Sequence, residues 1–132
     1  ESEGADRALA MAASLAAVNP EAHVDVVYVV PIPLLDETQM ANFKDILDMM
    51  ISDGEDLLAE AEQKMGEDVA ARTDSLLLTG TNPATEIVKL IGQRDYDLLI
   101  VGNRGLSGLK EYMGSVSHKL LHASPIPVLI AK

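Results

Sequence analysis

Two hydrophobic periodicities alternate along the chain. From Ala5 to Val18, Leu9, Ala12, Leu15 and Ala16 recur at helical spacing, with Ser2 placed as an N-cap. Val24-Asp25-Val26-Val27-Tyr28-Val29-Val30 is β-branched and almost wholly apolar. That predicts a strand buried on both faces and ended by Pro31 and Pro33. Helical spacing returns with Phe43, Ile46, Leu47, Met50 and Ile51, then Leu57, Leu58, Ala61 and Met65, as one long helix or two joined near Gly54. Leu76, Leu77 and Leu78 predict a short strand over 74–79. Asn82-Pro83 reads as a cap followed by proline at the first helical position, ahead of Ile87, Val88 and Ile91. A strand over 97–101, a helix over 115–123 and a strand over 126–131 complete the pattern.

Strands alternating with helices predict one α/β domain: a doubly wound parallel sheet flanked by helices. The alternation opens on a helix, although a leading helix in such folds ordinarily follows a strand. Repeats, low-complexity segments and interdomain linkers are absent from the sequence.

Composition narrows the chemistry. With 132 residues, 48% apolar but only three Tyr and one Phe, the core must be aliphatic. The absence of cysteine excludes disulfides, thiolate catalysis and cysteine-held metals, and is compatible with the expected cytoplasmic location. No apolar run approaches the ~20 residues that span a membrane. The polar, acidic start does not read as a signal peptide. A net charge of −11 argues against nonspecific nucleic-acid binding. Eleven of the acids fall between residues 36 and 68, where they read as a solvated helical face.

Against that acidity, residues 102–119 carry Arg104, Lys110 and Lys119 beside the single Glu111. Gly102, Gly105, Gly108 and Gly114 let backbone N–H groups turn inward between a strand and a helix, and Ser115 and Ser117 add hydroxyls. Such a loop, with a helix N-terminus behind it, suits a phosphate. It is neither a Walker A loop nor a G-x-G-x-x-G turn.

Taken together, these stretches resemble the universal stress protein family. The resemblance rests on Ser2 to Leu9, on Val26 to Pro31, on Gly80 to Val88, on Asp97 to Gly105, and on Gly114 to Ser117 with Pro127 to Ile130. It implies an adenine nucleotide alpha hydrolase-like sheet of strand order 3-2-1-4-5. It also implies a single domain over 1–132 truncated at its N-terminus, because the family's opening strand, which ends in an aspartate, has no counterpart before Glu1. ATP-binding members carry a G-x2-G-x9-G-[ST] signature, which Gly102, Gly105, Gly114 and Ser115 match with one residue fewer between the last two glycines. The resemblance then implies a nucleotide site of Val101, Gly102, Asn103, Arg104, Gly105, Gly114, Ser115, Val116 and Ser117, with Val29 offering backbone groups to adenine. The ligand would be ATP, or AMP or ADP, with Mg²⁺ carried on the phosphates. The protein would be a homodimer paired through strand 126–131.

Three functions are compatible with this reading: an ATP-binding regulatory module without catalytic residues, an ATPase or self-phosphorylating protein with Ser107, Ser115 or Ser117 as acceptor, and a dimeric interaction protein with an empty site. The lack of an evident water-activating base favours the first. Other candidates read as structural. His118 and His122 share a helical face without a third ligand. His23 stands alone at a strand start, and Asp36, Glu37 and Asp45 have no nucleophile partner. Met40, Met49, Met50 and Met65 read as core or groove filling.

Overall fold

The computed structural model describes residues 3–103 and 114–132. In chain order these form α1 (Glu3–Ala17), β1 (Val24–Pro31), α2 (Glu37–Lys64), α3 (Glu67–Ala70), β2 (Thr73–Gly80), α4 (Pro83–Gln93), β3 (Leu99–Gly102), α5 (Ser115–Ala123) and β4 (Val128–Ala131). Strands and helices alternate as the periodicity predicts. The expected N-cap Ser2 lies outside the described residues.

The strands form two parallel pairs. β1 lies in register with β2 from Val24 opposite Thr73 to Pro31 opposite Gly80. β3 lies in register with β4 from Leu99 opposite Val128 to Gly102 opposite Ala131. Among the described residues no ladder joins β1 to β3. The order 3-2-1-4-5 yields these two pairs, one on each side of its first strand. Helices flank both: α2 and α4 each pack on β1 and β2, α1 packs on β3 and β4, and α5 packs on β4 and α4. No helix among the described residues is long and apolar enough to cross a membrane.

Several boundaries differ from the sequence reading for local reasons. β4 starts at Val128, not Ile126, because the Ser124 hydroxyl occupies both backbone groups of Ile126: Ser124 Oγ donates to the Ile126 carbonyl at 2.9 Å and accepts its N–H at 3.2 Å. β3 starts at Leu99, not Asp97, where the Leu99 N–H reaches the Pro127 carbonyl at 3.0 Å. Pro127 has no N–H with which to extend that ladder backwards. β1 is half-buried over most of its length instead of buried on both faces, since among the described residues it has a hydrogen-bonded neighbour on one edge only.

Helix α2 begins well before Phe43. Asp36 caps it in a reciprocal box, its carboxylate accepting the Gln39 N–H at 2.8 Å while Gln39 Oε1 accepts the Asp36 N–H at 3.1 Å. The helix then runs unbroken through Gly54. A Cβ there would stand 2.9 Å from both Leu77 Cδ1 and Tyr28 Cδ2, so the glycine admits β1 and β2 side chains close to the helix axis. Asn82 caps α4 as expected, accepting the Thr85 N–H at 3.2 Å. Met65 joins Ala16 and Val69 in the core, while Met49 is exposed.

Two polar knots hold the N-terminal ends of β1 and β2. The Arg72 guanidinium donates to the carbonyls of Ala16, Asn19 and Ala22 at 3.1, 3.0 and 2.7 Å and to Asp68 at 3.1 Å. It thereby satisfies carbonyls at and beyond the C-terminus of α1. On the neighbouring strand, Asp25 Oδ2 accepts from the Tyr96 hydroxyl at 2.5 Å and from Arg94 at 3.2 Å. Burial, and then the hydrogen bond to Asp25, push the Tyr96 phenol above its ordinary value.

Removing the guanidinium while keeping its apolar stem, as in Arg72→Met, should cost about 2–4 kcal/mol in urea denaturation, because several carbonyls lose a charged donor together. Tyr96 sets a pH dependence of opposite cause to acid unfolding. The folded phenol holds its proton more tightly, so its contribution is complete below the ordinary tyrosine value of about 10. It is lost as pH climbs through the raised folded-state value. Urea midpoints measured at alkaline pH should therefore fall more steeply for the wild-type chain than for Tyr96→Phe.

Candidate functional site

The C-terminal end of β3 gathers the chemistry. β3 leaves the sheet at Gly102, and the first turn of α1 lies directly on it. A Cβ on Gly102 would stand 2.5 Å from the Gly4 carbonyl carbon and 2.6 Å from its oxygen. Only glycine admits that backbone contact. The glycine at 102 therefore has a packing cause independent of any ligand, which its place in a Gly/Ser loop does not reveal.

The next element, α5, starts beside the same point. Gly114 is its N-cap in an extended conformation, with no side-chain cap and no acid in the first turn. The Gly114 N–H donates to the Asn103 carbonyl at 2.6 Å, and the Asn103 N–H donates to Ala131 at 3.1 Å. The Ser117 hydroxyl is buried and donates to the Gly102 carbonyl. These bonds lock the start of α5 onto the ends of β3 and β4. The first intrahelical bond of α5 runs from the His118 N–H to Gly114 at 2.9 Å. The amides of Ser115, Val116 and Ser117 precede it and have no carbonyl within the helix. Two helix N-termini, of α1 and α5, thus meet at the end of β3. Each carries roughly half a positive charge.

Asn103 follows Gly102 at this point. Its Oδ1 is buried and has no hydrogen-bond partner among the described residues. A buried amide left this way costs about 1–3 kcal/mol until a partner arrives. The terminal amide can present oxygen or nitrogen. It can therefore accept from a sugar hydroxyl or donate to a phosphate oxygen, and a nucleotide offers both. The residues present fit such a ligand.

Of the residues expected to form the site, Val101, Gly102, Asn103, Gly114 and Ser117 are joined by these bonds and by the β3–β4 ladder, and Ser115 and Val116 follow Gly114 on α5. Val29 lies near the end of β1, opposite Leu78, on a strand not bonded to β3. Arg104 and Gly105 lie outside the described residues, as does Ser107. The contribution of Gly4 was not visible in the sequence; a glycine in the first turn of a helix was its one signal. His118 and His122 meet edge to face at 4.6 Å. They line an open groove of about 460 Å³ between α4 and α5, together with Val88 and Lys89.

A model of the universal stress protein family matches residues 1–132. The chain is 40% identical over 81 residues to universal stress protein YxiE of Bacillus subtilis, covering 61% of this chain and 53% of that protein. The chain thus spans about half the length of that relative. Among solved structures, the universal stress protein UspA of Lactobacillus plantarum superposes with a TM-score of 0.86 at 20% identity, covering 100% of this chain and 92% of the other. A universal stress protein from Archaeoglobus fulgidus, described in complex with dAMP, superposes with a TM-score of 0.71 at 22% identity, covering 100% and 90%. The chain belongs to the universal stress protein family, with that family's α/β fold.

The packing of Gly102 separates it from glycines without such a neighbour. Gly102→Ala should lower stability by about 1–3 kcal/mol through overpacking against Gly4. At Gly92, inside α4, an added Cβ would meet no other described element within 4 Å, so replacement by alanine should gain about 0.5–1 kcal/mol. Urea denaturation of the two variants checks both signs.

Proposed function

We propose that this domain is an adenine-nucleotide-binding regulatory module of a stress response, with ATP as its principal ligand and no catalytic turnover of its own. The observation that carries the reading is the meeting of two helix N-termini and a buried amide oxygen without a partner among the described residues, at the end of β3. The free amides of Ser115, Val116 and Ser117, with the Ser115 hydroxyl, would hold phosphate oxygens. Gly102, Gly105 and Gly114 would let the phosphates approach the backbone, and Arg104 would add charge. Asn103 and Val101 would meet the ribose side, and the Val29 backbone would meet adenine. Mg²⁺ would enter on the phosphates. The dAMP complex of the Archaeoglobus relative supports an adenine nucleotide.

Regulation is favoured over turnover because no carboxylate or imidazole among the described residues is bonded into the β3–α5 cluster, so a water-activating base is not in evidence. The Ser117 hydroxyl is already committed to a carbonyl, which disfavours it as a phosphate acceptor. AMP or ADP would use the same phosphate-binding amides. We also propose a homodimer through strand 126–131. Its observed part, β4, is bonded to β3 and shows no second ladder among the described residues, an edge suited to self-pairing.

Calorimetric titration with Mg-ATP tests the reading. Gly114→Val should abolish binding by disturbing the cap and its approach to phosphate. Ser115→Ala should weaken it by about 1–3 kcal/mol, the worth of one hydroxyl bond to a charged group. Equal affinity of wild type and Gly114→Val would overturn the assignment. For the dimer, light scattering should show monomer for Val128→Lys and dimer for wild type.

A further inference from the structure

We propose a divalent transition-metal site at the opposite end of the sheet, formed by His23, Asp25 and Asp74. Asp25 stands directly opposite Asp74 in the parallel β1–β2 register. His23 precedes Asp25 by two positions, so the strand repeat places all three on one face. His23 Nε2 lies 2.9 Å from Asp74 Oδ2 and 3.3 Å from Asp25 Oδ1. One ligand atom from each residue falls within 4.8 Å of the others.

The Asp25 carboxylate distinguishes this cluster from an ordinary surface group of acids. Its side chain is only 6% exposed. Oδ2 is satisfied by Tyr96 and Arg94, while Oδ1 is buried without a hydrogen-bond partner among the described residues. A single N–H on Nε2 is directed to one oxygen at a time, and Asp74 takes it. A cation at the centre of the three atoms satisfies Asp25 Oδ1, Asp74 Oδ2 and the imidazole lone pair at once. Ligands about 2.0–2.1 Å from a tetrahedral zinc stand about 3.4 Å apart, close to the 3.3 Å between His23 and Asp25, and the exposed Asp74 side chain is free to move out from its 2.9 Å hydrogen bond.

The donor set selects the metal class. An imidazole with two carboxylates suits zinc or cobalt(II) rather than calcium or magnesium, which prefer oxygen alone. Three protein ligands leave a fourth position open to water. Arg94, on the far oxygen of Asp25, offsets part of the carboxylate charge. The His23 and Asp74 side chains are 56% and 68% exposed, which gives an ion a path in. β1 spans eight residues, so this site lies about 20 Å from the proposed nucleotide site at the other strand ends.

The probe is Co²⁺ alone, added to the purified chain and followed by its visible absorption, with Zn²⁺ as competitor. One equivalent should bind with a tetrahedral spectrum, and Zn²⁺ should displace it. His23→Gln and Asp74→Asn, both at exposed positions, should each weaken binding roughly tenfold or more with unchanged circular dichroism. The double variant His118→Gln, His122→Gln should keep the site. Histidine ring signals in proton NMR of the wild type give a readout without mutation: Zn²⁺ should shift His23 before His118 or His122. Unchanged Co²⁺ affinity in His23→Gln, loss of the site in the His118/His122 variant, or no stoichiometric binding by the wild type would each overturn the proposal.

Discussion

The structure depends on helix α1, which packs on β3 and β4 while its C-terminal half joins the core over β1, because the two strand pairs share no hydrogen-bonded ladder among the described residues. Its small apolar face makes this possible. Leu9, Ala12, Ala13 and Ala16 pack with Met65 and Val69 against Val24 and Val26 of β1. The same helix packs on β3 and β4 and sets Gly4 against Gly102. Alanines on that face let the helix lie close to its neighbours, and larger residues would hold it off. Arg72 then fixes the far end of α1 through three carbonyls. On the other side α4 touches β1, β2 and α5, a second tie between the halves.

The candidate site follows from that docking. Because α1 must reach β3, its N-terminus arrives where β3 ends. Because β3 is followed by α5 through a glycine cap, a second N-terminus arrives at the same place. Asn103 lies at that strand end, bonded through its backbone to Ala131 and Gly114, with its Oδ1 buried. Glycine at 102 serves the helix contact first. The chemistry of the end of β3 is thus a consequence of how the halves are held together.

Much of this was legible in the sequence. The order of strands and helices came from the change of period between Val24–Val30 and Phe43–Met65, and the cap at Asn82 from its Pro83. The strand-to-helix region around Gly102 and Gly114 came from glycine spacing and local charge. Other features depend on contacts between distant segments. The Gly4–Gly102 approach joins residues about three quarters of the chain apart. The start of β4 depends on a serine hydroxyl competing for backbone groups at Ile126. His23 reads as an isolated histidine until the register places Asp25 and Asp74 beside it. Only the alternation His23-x-Asp25 hinted at a shared face, and the sequence does not fix which residue of β2 lies opposite.

The most direct test of the nucleotide reading is amide-resolved NMR of the ¹⁵N-labelled chain titrated with Mg-ATP. The backbone amides of Ser115, Val116 and Ser117 and the Asn103 side-chain amide should shift together and saturate with one binding curve, while the amides of Val24 and Asp25 at the other sheet end stay in place. Saturable shifts confined to the α4–α5 groove, or no saturable shift at the end of β3, would contradict it.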